Sequence, residues 1–138
     1  ARAKLLTDNV VIFAPADGFM HGLYDLEESI KRIQAFEAAG ADCVYVTYLN
    51  SLKNVEQVCN NVSVPVNVGI SPVTNLSMEE FPSAGAARIS LGMAMATAAS
   101  STLHAISASM FGKGDFSGIN KSLSYQVIDD CVRKRRAI

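Results

Sequence analysis

A few polar side chains in this 138-residue chain stand where they could meet a small ligand. Asn67 lies in the C-terminal half of a predicted strand, Pro65-Val66-Asn67-Val68, where its amide can bind a substrate oxygen or satisfy loop backbone. Arg88 opens another predicted strand, Arg88-Ile89-Ser90-Leu91. Its guanidinium can take an anion at the end of the sheet, or pair in the core with a carboxylate. Ser90, two residues before Gly92, offers a hydroxyl, and the backbone beyond it can donate to an anion at the start of the next helix. Asp17 follows the first predicted strand and either orients an Arg or Lys or turns the loop before Gly18. His21, in the loop from Gly18 to Gly22, is a candidate mobile acid or base.

Other chemistries find little support. The chain has no D-x-D-x-G run, and neither His21 nor His104 has a ligand-like neighbour at helical or strand spacing. Cys43, Cys59 and Cys131 cannot all pair, and no C-x-x-C occurs. Cys43 in an apolar run and Cys59 on a helical pattern read as small buried hydrophobes, and a reduced, cytoplasmic compartment is the natural expectation. Twelve Lys plus Arg against thirteen Asp plus Glu give a net charge of −1, so no field of one sign draws nucleic acid or an anionic membrane. The basic run Arg133-Lys134-Arg135-Arg136 follows Asp129 and Asp130 in a helical pattern, where it complements a helix C-terminus, and no aromatic residues interleave with it. No signal peptide and no stretch of 18 or more apolar residues is visible; the weakly polar run Leu91 to Phe111 reads as a buried helix. Hydrophobic residues make up 49% of the chain and charged residues 18%, which excludes disorder and suits a packed core.

The elements that must hold these residues alternate. Val10 to Ala14 is β-branched and apolar without alternation, as in a strand covered on both faces. Asp25, with Glu28 three residues on, forms a capping box for a helix carrying Leu26, Ile30, Ile33, Phe36 and Ala39, and Gly40 ends it. Asp42 to Thr47 is the second strand, 54–61 a short helix, and 65–68 the third strand, with Pro at its tolerated first position. A second capping box, Ser77-Met78-Glu79-Glu80, opens a short helix limited by Pro82 and Gly85. Strand 88–91 leads into a long helix over about 93–110, a break at Gly112-Lys113-Gly114, and a last helix over about 122–134. Strand starts recur roughly every 20 to 35 residues, the spacing of βαβ units, which form a parallel sheet with right-handed crossovers. The fold class is α/β in one domain, 1–138. Periodicity alone leaves two architectures open, a doubly wound open sheet or half of a (β/α)8 barrel whose helices each carry one apolar stripe.

Several segments, read in order, resemble the second half of the isocitrate lyase/phosphoenolpyruvate mutase superfamily. Residues 10–18, VVIFAPADG, are similar to its "vIxARTDA" strand, and 30–46, IKRIQAFEAAGADCVYV, to "R-x-x-A-Y-x-x-A-G-A-D-x-I-F-V". Val64-Pro65-Val66-Asn67-Val68 matches "xPvNv", and 85–92, GAARISLG, resembles "G-v-x-R-v-S-x-G". The resemblance implies the C-terminal half of a TIM-type barrel with its site at the C-terminal ends of the strands. It further implies a Mg²⁺-dependent lyase or hydrolase that cleaves C–C or C–P bonds next to a carboxylate in small oxoacids, with metal ligands that lie outside this chain. Asn67, Arg88, Asp17, Thr47 and Ser90 are then the expected substrate-binding residues.

Two positions depart from the pattern. Pro15 stands where the family carries an Arg that binds the substrate's carboxylate or phosphonate, and a pyrrolidine ring cannot replace a guanidinium. Thr47, or Tyr48 if the register slips by one, stands where the lyases carry a Glu, and neither is a carboxylate base. The alternative reading is a non-catalytic, degenerate barrel acting as an oligomerising or ligand-binding scaffold. Half a barrel leaves two strand edges unpaired and its inner face open, which invites a missing N-terminal half or a second copy. Residues Ala1 to Leu6 read as the end of a preceding helix, and the chain is expected to be a fragment. In this family the last long helix tends to swap onto a neighbouring barrel; the small residues over 94–101 and 105–109 suit close helix contact, and 93–138 is the expected swapped segment of an oligomer.

Overall fold

The computed structural model describes residues 9–70 and 75–134. The expected helix end at Ala1 to Leu6, like Arg135 and Arg136 of the basic run, lies outside them. Four strands, β1 (Phe13–Ala16), β2 (Cys43–Leu49), β3 (Asn67–Ile70) and β4 (Arg88–Ser90), form one parallel sheet in the order β1-β2-β3-β4. Helices α1 (Leu26–Ala38), α2 (Leu52–Cys59) and α3 (Glu80–Ser83) make the three crossovers. The sequential order is that of a barrel rather than of a doubly wound sheet, which reverses direction at a switch point. Beyond β4 come α4 (Ala94–Lys113), a 3-10 turn over Ser117–Lys121, and α5 (Tyr125–Lys134). The chain falls into two compact units, one reaching to Met95 and one beginning at Ala96.

Alternation along the strands divides the sheet of the first unit into two faces. Ala16, Val44, Val46, Val66 and Val68 turn to the helices and are buried against Ile30 and Ile33 of α1, Val55 and Val58 of α2, and Phe81 of α3. This is the core, and each of its large side chains contributes about 1.5–3 kcal/mol on burial. The opposite face carries Phe13, Pro15, Cys43, Tyr45, Thr47, Asn67, Gly69, Arg88 and Ser90.

Local chemistry sets the element ends. The Asp25 carboxylate accepts from the Glu28 amide at 2.9 Å and caps α1, while the Glu28 carboxylate pairs with Arg32. Ser51 caps α2, which therefore starts at Leu52, ahead of the expected Asn54. The first strand starts later than its apolar run. The Asp42 carboxylate takes the Ile12 amide at 2.8 Å, and the ladder begins at Phe13, so Pro15 lies inside β1 rather than in a loop. An edge strand tolerates the missing donor. The third strand is also displaced: Val66 makes only an isolated bridge to Val44, and Asn67 is the first residue of β3, not part of its C-terminal half. The second capping box is only partly realised. The Glu80 carboxylate accepts from the Ser77 amide at 2.6 Å, yet α3 begins at Glu80 and contains Pro82.

The second unit departs most from expectation. No residue of α4 is buried, where a buried helix was anticipated, and Leu103, Met95 and Phe111 are exposed. Its apolar residues spread around the helix instead of forming one stripe, so no single packing surface can bury them. Gly112 lies within α4, and the helix stops before Gly114, whose φ of 66° suits glycine. In α5, Arg133 forms an ion pair with Asp129 at 2.8 Å.

Candidate functional site

Register stacks the polar residues of the open face in two levels. Pro15 pairs with Tyr45, and Asn67 with Arg88; the Val44–Val66 bridge sets Tyr45 beside Asn67. One level up, toward the C-terminal ends, Thr47 pairs with Gly69 and Gly69 with Ser90. Gly69 adds no side chain to this level, though a Cβ there would make only ordinary contact with the Thr47 methyl at 3.5 Å. The β2–β3 pairing shifts between Thr47 and Leu49, and Tyr48 adopts φ 63°. That left-handed residue lets Thr47 remain on the open face while Leu49 enters the core.

Asn67 is the centre of the lower level. It is 1% exposed and uses both arms of its amide: Arg88 donates to its Oδ1 at 2.7 Å, and its Nδ2 donates to Ser90 Oγ at 2.9 Å. Among the described residues no buried side-chain polar atom lacks a partner. Arg88 is exposed, not buried against a carboxylate, and its guanidinium lies 5.3 Å from the centre of the Phe13 ring on the opposite edge strand. A cation–π contact of this kind uses none of the guanidinium's N–H donors. Phe13, Tyr45, Asn67, Arg88, Ser90 and Gly92 line a hollow of about 310 Å³. At the strand ends, the Thr47 hydroxyl donates to the Asp17 carboxylate at 2.5 Å.

The five expected residues thus form two groups, Asn67–Arg88–Ser90 in the hollow and Asp17–Thr47 at the ends of β1 and β2. His21 is exposed in the turn after β1, its amide donating to the Gly18 carbonyl, and His104 lies exposed on α4. Phe13 and Tyr45 were not anticipated. The i, i+2 spacing from Tyr45 to Thr47 was the available signal, since it puts both on one face of β2. Burial pushes the Tyr45 phenol above its ordinary range, the Asp17 carboxylate adds to this, and the Arg88 guanidinium opposes it. The Cys43 thiol beneath is likewise raised by burial, with the Asn67 backbone and Arg88 opposing.

A divalent cation of the hard type needs several oxygen ligands with carboxylates among them. The hollow is lined by no carboxylate, and Asp17 at the strand ends is engaged by Thr47. Among the described residues no cluster of three His, Cys, Asp or Glu could hold a metal ion. The residues present therefore do not fit a magnesium site. No helix among them is long and apolar enough to cross a membrane.

Comparison with known proteins agrees with this architecture. The family model of phosphoenolpyruvate phosphomutase matches residues 1–111. A protein of Burkholderia cenocepacia J2315, provisionally titled a lyase/mutase, superposes with a TM-score of 0.76 at 28% identity, over 86% of this chain and 43% of its own. The 2,3-dimethylmalate lyase of the PEP mutase/isocitrate lyase superfamily superposes with a TM-score of 0.67 at 20% identity, over 99% of this chain and 50% of its own. Oxaloacetate acetylhydrolase in complex with 3,3-difluorooxalacetate gives 0.70 at 17% identity, over 99% and 46%. No curated protein matches the chain in sequence. The chain spans half or less of the length of these structures, and its four parallel strands make a partial TIM-type barrel. By the family match, which takes in most of its length, the chain belongs to the phosphoenolpyruvate phosphomutase family.

Proposed function

We propose that the open face of this chain binds the carboxylate of a small oxoacid, as its share of a lyase or hydrolase that cleaves a C–C or C–P bond beside that carboxylate. The observation that carries the reading is the Arg88–Asn67–Ser90 relay in the hollow. A guanidinium has five N–H donors, and the bond to Asn67 occupies one of them. Held by Asn67 and by the Phe13 ring, it offers a fixed fork suited to a planar carboxylate. Because Ser90 Oγ accepts from Asn67, its own hydrogen can turn toward a ligand. Two structural neighbours suit the substrate class by their names: one is a 2,3-dimethylmalate lyase and another an oxaloacetate acetylhydrolase.

Magnesium, which the family resemblance implies, would need ligands from outside these residues. The partner that would complete the barrel is either a further half-barrel segment or a second copy, with no role for nucleic acid or membrane. A cytoplasmic setting fits the three free cysteines. A second reading, a binding scaffold without turnover, is favoured by one observation. Pro15 is built into the β1 ladder and Thr47 is bonded to Asp17, so neither position supplies a guanidinium or a carboxylate base.

Calorimetric titration of oxalate into the wild-type chain and Arg88→Gln tests the site. Saturable binding that weakens about tenfold or more in the variant is expected, since a charge-assisted contact is worth about 1.5–3 kcal/mol. Equal affinity in both proteins contradicts the reading. Release of product from oxaloacetate or a phosphonate, followed by NMR, separates an enzyme from a scaffold.

A further inference from the structure

We infer that Tyr45 is a specificity-determining residue of the hollow, its phenol donating a hydrogen bond to the oxo oxygen next to the carboxylate held by Arg88. The inference rests on the oxoacid reading and adds to it the group that distinguishes an oxoacid from a plain carboxylic acid.

The geometry is that of two donors on neighbouring strands. Tyr45 stands at the level of Asn67 on the open face, and Asn67 pairs in register with Arg88. Both Tyr45 and Arg88 line the same hollow. The phenol lies within electrostatic range of both Arg88 and Asp17. An oxo oxygen carries no proton and accepts hydrogen bonds only, so its partner must be a donor. Burial and the Asp17 carboxylate both favour the neutral phenol, which therefore keeps its proton through the neutral range. The Phe13 ring also lines the hollow and suits the apolar part of a short acid.

Pyruvate and propionate differ at the oxo group and share the carboxylate, so the pair isolates this contact. NMR titration of both probes into the full 138-residue chain and into Tyr45→Phe and Arg88→Gln is the test. Tyr45→Phe should weaken pyruvate about fivefold to tenfold, the worth of one hydrogen bond, and leave propionate within about twofold. Arg88→Gln should weaken both. If Tyr45→Phe lowers the two affinities equally, Tyr45 only shapes the hollow and the inference fails. If it lowers neither, the phenol does not meet the ligand and the inference likewise fails, while the carboxylate site survives. If Arg88→Gln changes nothing, or the wild-type chain binds neither acid, the oxoacid reading itself falls and takes this inference with it.

Discussion

Asn67 is almost fully buried on a face that is otherwise half open, and both arms of its amide are engaged. Asn67→Ala should cost about 1–3 kcal/mol in urea unfolding, because it strips Arg88 and Ser90 of a shared partner. It should also weaken oxalate binding, since the guanidinium loses its anchor. The buried Cys43 thiol and the half-buried Cys59 thiol give a pH signature. Burial raises the Cys43 and Cys59 thiols above their ordinary value of 9.0, so the folded chain holds those protons more tightly than the unfolded chain does. Stability from this source is fully present below pH 9.0 and is lost as pH rises through the folded-state values. The thermal midpoint should therefore decline on the alkaline side of that pH. Asn67, Arg88 and Ser90 were legible because a polar residue in an apolar strand is conspicuous. Their mutual bonding was not, because it depends on the pairing of β3 with β4, and no local pattern specifies which strands are neighbours. Tyr45 was hidden for a different reason: an aromatic residue in a strand reads equally well as core.

At the scale of elements, the starts of α1 and α2 followed local capping rules, whereas that of α3 did not. Asp25→Ala should destabilise the chain by about 1 kcal/mol through loss of the α1 cap. Ile33→Ala, at a position with no exposure, should cost about 2–5 kcal/mol; both changes are read by chemical denaturation. Strand boundaries were read less well, and the cause is visible in two places. The Asp42 carboxylate removes the Ile12 amide from the ladder, and the Val66 position is reduced to a single bridge. Both involve residues distant in sequence, so apolar runs alone mark where a strand is possible but not where pairing begins. The same limit explains α4: length and low polarity marked a helix, and burial was inferred from composition, whereas its residues are exposed.

At the scale of the molecule, β1 and β4 are the edges of a four-stranded parallel sheet, and Phe13 on the open face is 43% exposed. Parallel sheets are ordinarily covered on both faces, and bare edges pair with other chains. The chain should therefore associate at micromolar concentration, and light scattering that shows a monodisperse monomer would count against this expectation. The whole-molecule architecture was legible in the order of its motifs, because the units of α1 and α2 each carry a side-chain cap and an apolar stripe, and the parallel order follows from the crossovers. The most direct test of the central claim is a ¹⁵N–¹H spectrum of the wild-type chain titrated with oxalate. Saturable shifts confined to the amides and side chains around residues 45, 67, 88 and 90 are the predicted result. Shifts elsewhere with none at these positions, or no shifts at all, would contradict a carboxylate site built on Arg88, Asn67 and Ser90.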